Sequence, residues 1–216
     1  RDVTSNRCKT NNRITSMKMT YTIIGFILIG GLFFYLTSCR NKATAQNNQT
    51  SEQAKTTPKV HQTKDNAFEE LRNMAFKATP EQLNISLPKD KTIVYGVVMD
   101  WEMGGATAST VAYQTGDASL YLSTGGGVIG GGQHLSVNNA SKKFISLAQT
   151  FLDKTTKTEK TDLPKANEVK FYLLTNKGIY VGQELVQNFE NNSSIWLKLF
   201  EEGNYVLTEL RNISEK

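Results

Sequence analysis

Residues 92–123, TIVYGVVMDWEMGGATASTVAYQTGDASLYLS, decide the fold. Their first ten residues are mostly β-branched or aromatic and read as a buried strand over 92–101. Gly104-Gly105 then makes a turn, 106–113 a second strand, Thr115-Gly116-Asp117 a tight turn and 118–123 a third strand. Two short turns in series require antiparallel pairing, because a parallel connection needs a crossover of roughly a dozen residues or more.

Downstream, 136–152 carries Val137, Ala140, Phe144, Leu147, Ala148 and Phe151 at helical spacing, with Lys142 and Lys143 off that stripe. Residues 153–167 (DKTTKTEKTDLPKAN) read as a charged loop. Strands follow over 168–175 and 178–186, joined at Asn176-Lys177-Gly178. A helix over 194–200 and a last strand or helical turn over 205–210 complete the pattern. Upstream, Asp65 or Asn66 can cap a helix whose Phe68, Leu71 and Ala75 share one face. Thr79-Pro80-Glu81-Gln82 reads as a cap with proline at the first position of a second, short helix. The class is α+β, an antiparallel sheet with helices packed on one side, in a single domain over 66–213. The order of elements resembles profilin, roadblock and longin domains. That resemblance implies a shape and no activity.

Gly125-Gly126-Gly127-Val128-Ile129-Gly130-Gly131-Gly132 is the most unusual stretch. It contains G-x-G-x-x-G between a strand and a helix, with Asp153 downstream, the outline of a dinucleotide fingerprint. That reading fails on topology, since the fingerprint needs a parallel βαβ unit. It fails also on spacing, since the third glycine stands well before the first apolar helix position, Val137. Six glycines do leave backbone N–H groups bare and admit positive φ. The loop is therefore a candidate for receiving a carboxylate or phosphate, or for close approach of a partner strand or helix. The plain alternative is a connector. His134, between loop and helix, joins the candidates, with a capping or solvated histidine as the ordinary reading.

Asp100-Trp101-Glu102 sets two carboxylates on one strand face. With Asp117 they could form an oxygen-ligand cation site or an acid/base pair. A solvated strand edge is the ordinary explanation. There is no G-x-S-x-G elbow near Ser119 or Ser123, and a Ser-His-Asp triad would depend on His134. Two cysteines and two histidines supply no dedicated zinc set, so no metal and no cofactor is expected.

The chain has a formal charge of +5, but the net positive charge belongs to the residues before position 66. Arg1, Arg7, Lys9, Arg13 and Lys18 face only Asp2 before residue 39. The domain itself is slightly acidic, which argues against nucleic acid as a partner. Residues 23–36 (IIGFILIGGLFFYL) are uncharged and too short for the roughly 20 residues that cross a bilayer. With Met17-Lys18-Met19 before them they match a secretory signal. Leu36-Thr37-Ser38-Cys39 resembles the lipobox of bacterial lipoproteins at all four positions. The resemblance implies cleavage before Cys39, acylation of its thiol and amino terminus (palmitate among the chains), and a membrane anchor. Residues 1–16 then read as an upstream extension, 17–38 as the signal peptide, and 39–65 as a disordered, lipid-anchored tether. The runner-up is a signal left uncleaved as an anchor.

YGVVMDW (95–101), GDASLYLSTGGGVIGGG (116–132) and VKFYLLTNKGIYV (169–181) also resemble a family of uncharacterised bacterial proteins. That resemblance implies a shared domain shape and no catalytic residue. The functional expectation is a non-enzymatic cell-envelope lipoprotein in the periplasm. Its domain would bind an envelope protein or small ligand through the glycine loop. The alternative is a periplasmic hydrolase-type enzyme using Asp100, Glu102 or His134.

Overall fold

The computed structural model describes residues 64–215. The expected upstream extension, the expected signal peptide, Cys39 and the expected tether up to residue 63 lie outside the described residues. Helix α1 (Lys64–Lys77) opens the domain. It begins just before the expected caps, so Asp65 and Asn66 fall inside its first turn. Thr79-Pro80-Glu81-Gln82 forms a turn and no second helix. Thr79 N–H donates to Gln82 Oε1 (3.0 Å) and Gln82 N–H to Thr79 Oγ1 (3.3 Å), a reciprocal cap. Asn84 takes φ 55°, the left-handed conformation that stops a turn from propagating.

The meander follows as expected: β1 (Val94–Met103), β2 (Ala106–Tyr113) and β3 (Ala118–Leu122). A two-residue strand, β4 (Gly127–Val128), forms inside the glycine loop. Then come α2 (Leu135–Gln149), a short β5 (Thr156–Thr158), β6 (Glu168–Thr175), β7 (Gly178–Leu185), α3 (Val186–Glu190) and α4 (Leu197–Ser214). All pairs are antiparallel and the sheet order is β4-β3-β2-β1-β6-β7-β5. The class read from sequence, α+β with an antiparallel sheet, is the class observed.

Three further details differ from the sequence reading. The charged loop contributes β5, which pairs with β7 and closes one edge of the sheet. Gly203-Asn204 does not break α4. A helix-interior glycine costs about 1 kcal/mol against alanine. Here it lets the helix backbone approach Met99 and Phe144, where a Cβ would stand 2.5 Å from the Met99 sulfur. Finally, the helices occupy both faces of the sheet. Val97, Met99, Phe171 and Leu173 face α2, α3 and α4. Tyr95, Val98, Val111, Tyr113, Tyr121, Tyr172 and Leu174 face α1 and the segment that follows it. β1 is buried on both sides, which is why it reads as a continuous apolar run instead of an alternating one.

Candidate functional site

The chain reverses immediately after β3. Gly125 N–H donates to the Leu122 carbonyl (2.9 Å), and Leu122 N–H to the Gly126 carbonyl (3.2 Å). Gly125, Gly126 and Gly127 all have positive φ, a region that L side chains enter with strain. Gly127 lies against β3 so closely that a Cβ would fall on the Leu120 carbonyl oxygen. The second half of the loop is bound into the domain. Gly130 N–H donates to Ser119 Oγ (3.1 Å) and Gly132 N–H to Asp117 Oδ1 (3.0 Å). Gly131 is buried beneath Leu210 and Val137. The carboxylate that the loop receives is thus the domain's own Asp117. A 3-10 turn (Gly131–Gln133) separates Gly130 from α2, so the third glycine packs no helix, as the spacing implied.

Gly125, Gly126 and Gly127, with Ile129, form one wall of an apolar groove of about 250 Å³. Phe68 and Leu71 of α1 form the opposite wall, and Tyr121 and Leu122 of β3 also line it. No charged side chain lines it. Ile129 is 67% exposed. On the other side of Phe68, α1 borders a polar cleft of about 220 Å³ lined by Glu69, Arg72, Asn73 and Asp162.

The candidate carboxylates are each engaged elsewhere. Asp100 is fully buried, which corrects the reading of a solvated strand edge. Its Oδ2 accepts from Arg72 Nε (3.0 Å) and from Nη2, and its Oδ1 accepts from Ser109 Oγ. Burial, then the Asp100 carboxylate, push the Tyr172 hydroxyl up to about 12. Glu102 accepts from Gly105 N–H and Asn167 N–H, tying the β1–β2 turn to the start of β6. Those two donors, Gly105 first, hold its carboxyl below the ordinary range. Asp117 sits at the β2–β3 turn, at the opposite end of β2 from Glu102's partner Thr107. The three carboxylates therefore share no cation site.

His134 is exposed and precedes α2, on the sheet face opposite Asp100. Its side chain makes no capping bond. Asp100 and His134 are not brought together. No group of three His, Cys, Asp or Glu side chains among the described residues could hold a metal ion. No helix among them is long and apolar enough to cross a membrane.

The sequence reading missed the buried Arg72–Asp100 pair and the groove. A signal for the pair was present. Arg72 stands at helical spacing among Phe68, Leu71 and Ala75, so it occupies the apolar stripe. A buried cation needs a buried anion. The groove depends on where α1 docks, and local pattern does not encode that. No protein-family model, no curated protein and no solved structure matches this chain.

Proposed function

We propose that this chain is a cell-envelope lipoprotein, anchored through Cys39, whose α+β domain binds a partner without catalysing a reaction. The apolar groove between α1 and the glycine loop carries the binding part of this reading, with exposed Ile129 on its wall. The lipobox at the end of an uncharged segment carries the location. At about 250 Å³ the groove is smaller than the roughly 300–1,000 Å³ of small-molecule sites. It suits an inserted side chain better than a cofactor, so a protein partner is favoured over a small ligand. For the enzyme alternative, Asp100 and Glu102 are consumed by structural bonds, and His134 lies across the sheet from Asp100.

Replacing Cys39 with alanine tests the location. Acyl labelling and membrane retention are both expected to vanish, because stable anchoring depends on the acyl chains. Continued processing and retention would contradict the proposal. Ile129→Lys tests the site: it should abolish partner association while leaving the thermal midpoint close to that of the parent protein.

A further inference from the structure

The groove between α1 and the glycine loop lies close to where the described chain begins. Helix α1 starts at Lys64, and its groove-lining residues are Ala67, Phe68 and Leu71. Ala67 is one turn into the helix, about 4.5 Å along its axis from Lys64. The chain that precedes Lys64 therefore joins the domain beside the groove.

That preceding stretch, residues 40–63, carries one strongly apolar side chain. Val60 is its only Val, Ile, Leu, Met, Phe, Tyr or Trp. It stands four positions before Lys64, so it stays within roughly 14 Å of the start of α1. A side chain held that close meets the groove at an effective concentration on the order of millimolar. Weak intrinsic affinity is then enough to fill the groove, and an unlinked partner must outcompete it.

The segment and the groove also match in character. Pro58 fixes its own φ and keeps Thr57 out of helical backbone, which favours extended chain here. In extended chain alternate side chains point to opposite sides, so Val60 can face the groove while Lys59 and His61 face water. No charged side chain lines the groove, and its volume of about 250 Å³ suits one aliphatic side chain.

We propose that residues 58–62 fold back as a strap and seat Val60 in the groove, where it takes the place of a partner's side chain. This rests on the reading of the groove as the seat of an inserted side chain. It adds that a partner must displace the chain's own tether.

The test is methyl NMR on the purified full-length chain in detergent micelles, with Val, Leu and Ile methyl groups labelled and no partner present. The expected result is nuclear Overhauser contacts from the Val60 methyls to Leu71 and Ile129. In Val60→Asp those contacts should be lost, and the Leu71 and Ile129 methyl resonances should shift. Those of Leu199, buried on the other face of the sheet, should stay in place. Contacts seen only between differently labelled chains in a mixed sample would overturn the strap in favour of a second copy. Absent contacts, or Leu71 and Ile129 resonances that do not move in Val60→Asp, would overturn it outright. None of these results touches the partner-binding reading, which fails separately if Ile129→Lys leaves partner association intact.

Discussion

The two faces of the sheet are built by different means. Under α2, α3 and α4 the packing is aromatic. Phe171 stacks on Trp196 at 5.5 Å, Trp196 on Phe151 at 5.5 Å, and Phe189 on Phe200 at 4.2 Å. Under α1 the sheet presents tyrosines. Tyr113 Oη donates to the Ala75 carbonyl (3.0 Å) and Tyr95 Oη to the Ala78 carbonyl (2.8 Å), while Tyr172 Oη donates to the Asp162 carbonyl. A buried ion pair, Arg72–Asp100, adds to these. Both cavities described above border α1. The aromatic face buries its rings in close packing, as dense as that of organic crystals. A face held by hydroxyls and one ion pair leaves voids at its margins, and there the domain has a surface to offer.

The largest expected effect lies on the aromatic face. Phe171→Ala removes a fully buried ring that touches both Trp196 and Phe189. It should lower stability by about 4 kcal/mol in urea unfolding, within the usual range for Phe→Ala. A loss below about 1 kcal/mol would break the contrast between the faces. Next comes the ion pair. Asp100→Ala strands a buried guanidinium and should cost about 3 kcal/mol. Replacing both partners, Arg72→Met with Asp100→Leu, should recover most of that loss. If the double variant is no better than the single one, the pair has a role beyond neutralising charge.

Smaller effects sharpen the tyrosine face. Tyr95→Phe deletes one hydroxyl bond to the end of α1 and should cost about 1 kcal/mol. The loss should be accompanied by faster amide exchange in α1 than in α4, because α1 is the element released. Smallest is the pH effect at Glu102. Its folded pKa lies below the ordinary value of about 4.3. Its contribution is therefore fully present above the unfolded pKa and is lost as pH falls through the folded one. Glu102→Gln should reduce stability at neutral pH and flatten the acid limb of the stability curve below about pH 4. An unchanged acid limb would mean that the Gly105 and Asn167 bonds do not stabilise the fold.

Much of this was legible in the chain. The meander over 92–123 was readable because its turns are short and glycine-marked and its strands are β-branched. The α2 stripe was readable because Val137, Ala140, Phe144 and Ala148 keep helical spacing. α4 was read as two pieces, a helix over 194–200 and a strand or helical turn over 205–210, whereas Gly203 between them lets one continuous helix approach Met99 and Phe144. The second helical layer went unread because periodicity says which side of α1 is apolar, not which side of the sheet it meets. The glycine loop was half legible. Its glycines announced unusual backbone, but not that Asp117 and Ser119 already bind its later N–H groups. Nor did they announce that its first half walls a groove with α1. Asp100 looked like a surface carboxylate because its partner lies in α1, far away in the chain.

The central claim is that the domain meets its partner at the α1 and glycine-loop edge and not across α4. Native electrophoresis of membranes solubilised from cells making wild-type protein, Ile129→Lys or Tyr205→Lys tests it most directly. Both positions are exposed, so each substitution should change stability by no more than about 0.5 kcal/mol. Wild-type protein and Tyr205→Lys should migrate together in one assembly larger than the free chain, and Ile129→Lys should migrate alone. An assembly that survives Ile129→Lys and dissociates with Tyr205→Lys would contradict the account.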